Sequence, residues 1–207
     1  MAFSASTLTV ANLALGMLGE QTVTDPNFNG PSKEDDALAT HFEPCLADFL
    51  ERRRWRKATG RYTLTALAAA PAFGYNKQFQ LPADCLAPRD VYDANLKRVT
   101  DRVFEGDVVL ANYEVLHLKY TKEIGVDKFT GMMVRAFATL LAAELAIPLA
   151  ETRLALPLAE KAERLISKAF LRDAQQNHSA ENSSIARQAR EQNDTLNSRG
   201  GTWENDW

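Results

Sequence analysis

The chain of 207 residues is long enough to bury one hydrophobic core, and its apolar content of 45% is typical of globular proteins. This composition excludes wholesale disorder. The net charge of −3 gives no overall positive field that would gather nucleic acid, so a dedicated duplex-DNA-binding protein is not expected. The first residues lack the basic stretch and apolar run of an export signal, so we expect synthesis in the cytosol.

Two helices are predicted at the start of the chain. Apolar residues at helical spacing predict the first over residues 6–18, with Gly19 as its end. A loop rich in Pro, Gly and Asn follows. Ser32 and Asp35 resemble a capping box, which predicts the start of the second helix, and Pro44 is expected to kink or divide it.

The second helix is predicted to end in a basic run around Trp55. Such a run can bind phosphates, but cations at a helix C-terminus also complement the helix dipole and cover apolar neighbours. The second interpretation is favoured because Glu51 lies beside the run and the run is short. The basic residues are Arg52, Arg53, Arg54, Arg56 and Lys57.

A small antiparallel β module is predicted after this helix. Prolines break any long helix between residues 62 and 123, and β-branched and aromatic residues cluster in short runs. In the last run Val115, His117 and Lys119 alternate with more apolar neighbours, which predicts one apolar and one mixed face. The predicted strands are 79–81, 89–93, 98–104, 108–110 and 114–121, with a hairpin turn at 105–107.

A second α-helical part follows the strands. Residues 130–150 are apolar on nearly every side, and the only charges, Arg135 and Glu144, fall on opposite sides of a helix. These charges and Pro148 favour a core helix over a membrane span. The amphipathic stretch 158–170 is predicted to pack against it, with Pro157 in its first turn.

These elements predict a mainly α protein: a helical bundle with an inserted antiparallel β module and an extended C-terminal tail. The tail is too polar to fold alone, so it is expected to be flexible when free. The predicted domains are a discontinuous bundle of residues 1–61 and 124–177, a β-rich insertion at 62–123, and a C-terminal arm at 178–207.

Histidine and cysteine positions do not indicate a metal site. His41, His117 and His178 fall in three different elements, and none has a second ligand-type residue at i+3 or i+4. Cys45 and Cys85 lie far apart without paired partners, which is typical of two reduced thiols. We therefore expect neither a metal nor a cofactor.

Catalytic motifs are also lacking in the sequence. Glu34, Asp35 and Asp36 form an acidic cluster, but carboxylates in the first turn of a helix are expected from its dipole alone. No phosphate-cradling glycine loop or nucleophile elbow is visible. The sequence therefore does not predict an enzyme.

Five segments of the chain form an ordered pattern: NLALGMLGEQTV at 12–23, the helix ending at Trp55, LPADCL at 81–86, LKYTKEI at 118–124, and Asp127-x-Phe129 leading into FATLLAAELA at 137–146. Together they resemble the tail tubular protein A, or head-to-tail adaptor, family of short-tailed bacteriophages. Their order and spacing carry the resemblance over about residues 6–175, and no single segment is specific. The basic run around Trp55 and the presence of Pro44 depart from the family pattern.

The resemblance implies a structural virion protein of the tail connector. Closed rings of about twelve copies would dock beneath the portal protein and seat the tail nozzle, with no membrane involved. DNA would pass through the channel at ejection without sequence-specific binding, and a near-neutral or acidic lumen would let it slide. Trp203 and Trp207 are then the expected anchors to the portal or a neighbouring subunit. Possible contacts to the lumen or to a subunit are Arg52, Arg53, Arg54 and Arg56.

Two other functions stay open at this point. A virion-associated hydrolase of cell-envelope polysaccharide would require two positioned carboxylates, for which the acidic cluster of the second helix is the candidate. A DNA-binding regulator would show salt-dependent binding of duplex DNA.

Overall fold

The computed structural model describes the backbone of residues 6–199 and the side chains of residues 6–175. Residues up to Phe170 form one compact unit. The helices are α1 (Thr7–Leu18), α2 (Lys33–Glu51), α3 (Gly131–Leu145) and α4 (Thr152–Arg199). The strands are β1 (Thr59–Thr65), β2 (Lys77–Gln80), β3 (Cys85–Tyr92), β4 (Val103–Glu105), β5 (Val108–Ala111) and β6 (Val115–Lys122). A short 3-10 helix, Val126–Lys128, precedes α3.

The prediction of a mainly α helical bundle is wrong. The protein is a mixed α/β fold, 43% helical, with 21% of its residues in two antiparallel sheets. The strands surround a hydrophobic cluster of their own, which is separate from the cluster between the helices. Part of the error is β1, because the sequence from Thr59 to Thr65 was not predicted as a strand.

The helical part is organised around α3, as predicted. Thr130 caps its start by accepting a hydrogen bond from the amide of Met133 at 3.3 Å, and most of its side chains are buried. Arg135 and Glu144 both reach solvent on opposite sides. Aromatic rings then join α3 to its neighbours, with centroids 5.4 to 5.9 Å apart in a group of four: Phe42, Phe49, Phe129 and Phe137.

The predicted start and end of α1 and the predicted start of α2 are confirmed, but α2 ends at Glu51, before the basic run in which it was predicted to end. Ser6 Oγ accepts a hydrogen bond from the amide of Thr9 at 3.1 Å at the start of α1. Gly19 ends this helix with φ of 81°, a left-handed conformation that glycine adopts without steric cost. Ser32 accepts a hydrogen bond from the amide of Asp35 at 3.1 Å at the start of α2. Pro44 does not divide α2, which is continuous to Glu51.

The C-terminal helix differs from its prediction in two ways. It begins at Thr152, so Pro157 lies inside it rather than in its first turn. Its backbone continues to Arg199, which corrects the expected extended tail over residues 178–199. The segment lacks apolar periodicity, but it contains no Gly or Pro and is rich in good helix formers, so intrinsic propensity favours the helix. Trp203 and Trp207 lie outside the described residues.

The six strands form two three-stranded sheets with the orders β1-β6-β3 and β2-β5-β4. An isolated bridge between Ala66 and Phe79 connects the sheets. The predicted hairpin turn is confirmed, because Glu105 pairs with Val108 across a two-residue turn in which Gly106 has φ of 54°. The first and last strands, β1 and β6, are neighbours. The predicted domain division at residues 62–123 stays a prediction.

Candidate functional site

The outer face of the β1-β6-β3 sheet carries a row of polar and charged side chains. Because side chains alternate along a strand, the inner face buries leucines such as Leu116 and Leu118, while the residues between them face outward. In the register of the sheet, Arg61 lies opposite Lys119. One row further along, His117 of β6 lies between Thr63 of β1 and Tyr92 of β3.

A pocket of about 360 Å³ lies over these rows. Its lining includes Arg61, Thr63, Tyr92, Leu96, His117 and Lys119. Thr63 Oγ1 and His117 Nδ1 are 3.1 Å apart, a hydrogen bond that holds the imidazole against β1. Leu96 belongs to the turn after β3, where it has φ of 60° and its side chain is 70% exposed. A leucine in this left-handed conformation is unfavourable, so the turn holds an apolar side chain at the pocket at a local cost.

Two cations of this pocket, Arg61 and Lys119, face each other on neighbouring strands. Like charges directly opposite on neighbouring strands destabilise a sheet. Among the described residues, neither Arg61 nor Lys119 forms an ion pair. The nearest carboxylate in the sheet register belongs to Asp90 of β3, so Lys119 of β6 lies between Arg61 and Asp90. Asp90 instead pairs with Arg98 at 2.8 Å.

A second group of arginines lies on the same sheet, around Asp90 and at the junction with the helices. Arg54 approaches Asp90 at 4.0 Å. Arg89 donates from Nε to Thr121 Oγ1 at 2.7 Å and from Nη1 to Thr59 Oγ1 at 3.3 Å, while its buried Nη2 has no hydrogen-bond partner. Burial, and then the charge of Arg54, lower the pKa of Arg89. The guanidinium is therefore held by neutral oxygens rather than by a carboxylate.

The structure separates the residues of the predicted basic run. Trp55 is fully buried, donates from Nε1 to the carbonyl of Phe49 at 3.0 Å, and stacks on the ring of Phe49. Arg52 caps α2 and pairs with Asp48 at 2.7 Å and with Glu163 of α4. The ion pair with Glu163 joins the end of α2 to α4.

The other arginines of the run point to different surroundings. Arg53 donates to the carbonyl of Arg52 at 3.4 Å, and Arg56 is exposed. Arg54 approaches the carboxylate of Asp90 on the sheet. Of the cations around the pocket and Asp90, the sequence pointed to Arg54 as a contact residue but not to Arg61, because β1 was not predicted as a strand.

The acidic cluster of α2 lies at the start of the helix, where one of its carboxylates takes part in the helix cap. Glu34 and Asp35 are buried, and Asp36 is exposed. Asp35 Oδ2 accepts a hydrogen bond from Ser32 Oγ at 2.6 Å, which completes the cap of the helix. A Cβ on Gly30 would lie 2.2 Å from the same oxygen, so the preceding loop closes over this carboxylate. The arrangement orders the start of α2.

The remaining predicted site residues are not brought together. His41 lies on α2 and His117 on β6, while the side chain of His178 lies outside the described residues. Cys45 and Cys85 are free thiols. Within residues 6–175 no group of three or more ligand-type side chains could hold a metal ion. In the described part of the chain, no helix has both the length and the apolar character needed to cross a membrane.

Comparison with known proteins adds no family assignment. No family model matches the chain, and no curated protein matches its sequence. The assignment of function therefore depends on the residues and contacts of this chain.

Proposed function

We propose that this protein is a head-to-tail adaptor, which forms a ring beneath the portal of a short-tailed bacteriophage and seats the tail nozzle. The observation that carries the proposal is that segments behind the sequence resemblance, although far apart in the chain, contact one another. They pack against one another within the sheet and the helical part instead of lying as separate stretches on the surface.

The clearest of these contacts joins LPADCL at 81–86 to LKYTKEI at 118–124. The Tyr120 hydroxyl donates a hydrogen bond to Asp84 Oδ1 at 2.9 Å, and the Glu123 amide donates to the Asp84 carbonyl at 2.8 Å. Lys122 Nζ lies 3.8 Å from the same carboxylate. Burial, together with the hydrogen bond to Asp84, raises the pKa of Tyr120 to about 12. One residue, Asp84, thus fixes the start of β3 against the end of β6 through both its side chain and its carbonyl.

Further contacts order the helical segments of the resemblance. Asn12 accepts a hydrogen bond from the Val23 amide at 2.9 Å and donates to the Val23 carbonyl at 3.0 Å, so the two ends of NLALGMLGEQTV are held together. Phe129 contacts the rings of both Phe49 and Phe137. Phe129, two residues before α3, thereby joins the second and third helices.

A ring subunit also requires surfaces for its neighbours. The connector between α3 and α4 exposes Ile147 at 67%, and the second turn of α4 exposes Leu156 at 70%. Large apolar side chains on the surface are candidates for contacts with other proteins. We assign Ile147 and Leu156 to the contact with a neighbouring subunit or with the portal, and the predicted anchors Trp203 and Trp207 to the portal.

Assembly is the test of this proposal. Ring closure must overcome the loss of translational and rotational freedom, so we expect a monomer at micromolar concentration and rings only after portal protein is added. Analytical ultracentrifugation of the protein alone and with portal measures this directly. Stable rings without portal would contradict the expected order of assembly, and failure to bind any neighbouring structural protein would overturn the adaptor assignment.

Variants separate the two contact surfaces. Ile147→Glu with Leu156→Glu should prevent ring formation, whereas Leu13→Glu, at an exposed apolar position on α1, should not. Truncation after Asn177 should leave the melting temperature unchanged and weaken portal binding, and Trp203→Ala with Trp207→Ala should reproduce most of that loss. Wild-type portal affinity of the truncated protein would show that the C-terminal arm is not an attachment device.

A further inference from the structure

The basic face of the β1-β6-β3 sheet has an arrangement that the adaptor function does not require. Arg61 and Lys119 lie directly opposite each other and form no ion pair with any described residue. The cost of this repulsion is recovered when an anion lies between the two cations. The same face also holds Arg54 and Arg98 around one carboxylate, Asp90. This part of the surface is therefore positive although the whole chain carries a net charge of −3.

The pocket beside the two cations indicates what kind of anion fits. Tyr92, His117 and Leu96 line it together with the cations, so a flat apolar group has surfaces to stack on. A volume of about 360 Å³ lies at the lower end of the range for small-ligand pockets and holds one group of the size of a nucleobase. A carboxylate of a protein partner would use the cations but would leave this pocket unfilled.

We propose that this face binds single-stranded nucleic acid, with backbone phosphates on Arg61 and Lys119 and one base in the pocket against Tyr92. Proteins that bind single strands combine a positive groove with aromatic side chains on which bases stack. A duplex keeps its bases stacked inside, so only its phosphates would reach this face. The cations around Asp90 continue the positive surface along the path of the strand. The inference does not depend on the adaptor assignment, in which DNA passes without being bound.

The test measures fluorescence anisotropy of a labelled thymidine oligonucleotide of about 12 nucleotides with the full-length protein at about 50 and 200 mM salt. Wild-type protein should bind the single strand more tightly than a duplex of equal length. Arg61→Ala with Lys119→Ala should weaken binding at least about tenfold. The variant should also reduce the slope of log affinity against log salt by about 1.4, because each phosphate contact of a single strand contributes about 0.7.

A matched control changes the net charge by the same amount as Arg61→Ala with Lys119→Ala. Lys161→Ala with Arg164→Ala removes one lysine and one arginine from exposed positions of α4, and it should leave binding and salt slope unchanged. Tyr92→Leu should weaken binding of the single strand and leave binding of the duplex unchanged. If Arg61→Ala with Lys119→Ala is not folded by circular dichroism, Arg61→Gln with Lys119→Gln takes its place.

Each alternative gives a distinct result. No binding at the lower salt concentration would overturn the proposal, and so would an equal loss in the α4 control, which would indicate general attraction only. Competition by adenosine monophosphate as effective as by the oligonucleotide would show a free-nucleotide site instead. Competition by a polyglutamate peptide of similar length, with no effect of Tyr92→Leu, would show a surface for an acidic protein.

Discussion

Gly60 is the position at which a single methyl group should destabilise the β module most clearly. The residue is buried on β1 directly opposite Tyr120 of β6. A Cβ at this position would lie 2.5 Å from Cζ and 2.6 Å from Cε1 of the tyrosine ring. The ring cannot give way freely, because it is only 4% exposed and its hydroxyl donates to Asp84. Gly60→Ala must therefore move either the ring or the strand.

The size of the effect follows from these contacts. Overpacking a closely packed site costs about 1–3 kcal/mol, and a hydrogen bond to a charged group contributes about 1.5–3 kcal/mol when it is lost. Since displacement of the ring breaks the bond to Asp84 only in part, we expect a loss of about 2–4 kcal/mol in the free energy of unfolding. For a chain of this size this corresponds to a fall of roughly 5–15 °C in Tm.

Urea denaturation followed by circular dichroism and by tyrosine fluorescence measures this loss. Gly16→Ala is the matched control, because a Cβ there meets no atom within 4 Å and α1 gains a better helix former. It should stabilise the protein by about 0.5–1 kcal/mol. In a Tyr120→Ala background, Gly60→Ala should cost much less than in the wild type. An equal cost in both backgrounds, or an unchanged midpoint for Gly60→Ala, would refute the reasoning.

Three further predictions concern buried or ionisable side chains. Ala142→Asp would place a carboxylate at a fully buried position of α3, so the urea midpoint should fall by an amount equivalent to at least about 3 kcal/mol; a midpoint close to wild type would show that the helical part is not organised around α3. Burial raises the pKa of Cys45 to about 12 and raises that of the half-buried Cys85, so iodoacetamide should alkylate Cys85 first in the native protein, as mass spectrometry would show; faster reaction of Cys45 would contradict its burial. The pKa of Tyr120 is raised to about 12, so this hydroxyl loses its proton at lower pH in the unfolded state than in the folded state. The protonated hydroxyl therefore contributes fully to the stability of the fold below about pH 10, and this contribution is lost as the pH rises towards 12. Phenolate absorbance of the wild type and of Asp84→Asn would measure the pKa of Tyr120. The same titration curve for both proteins would count against the hydrogen bond to Asp84 as a cause of the raised pKa.

Elements with strong local signals could be predicted from the sequence. Ser6, Gly19 and Ser32 mark helix ends through contacts within a few residues, and the hairpin at Gly106 depends on its own turn. The apolar run of α3 is long enough to identify a core helix without knowledge of its neighbours. The hydrogen bonds and dihedral angles that define these features are local.

Features that depend on distant pairing could not be predicted in the same way. β1 buries little besides Gly60 and Leu64, and its assignment as a strand depends on β6, more than fifty residues later. The mixed face of β6 was visible as the alternation of His117 and Lys119. Its meeting with Arg61 is a consequence of the register between β6 and β1, which could not be predicted because β1 itself was not predicted as a strand.

The position of α3 in the chain has a consequence for synthesis on the ribosome. α1 and α2 emerge first, but the helix that covers their apolar faces ends at Leu145, 94 residues after the end of α2 at Glu51. At translation rates of about 5–20 residues per second, the two helices wait on the order of 5 to 20 s for their partner. During this interval Phe42 and Phe49 lack the ring of Phe137 that packs on both in the finished protein. Nascent chains stalled before α3 should therefore bind a holdase chaperone, and chains stalled after α4 has emerged should be released.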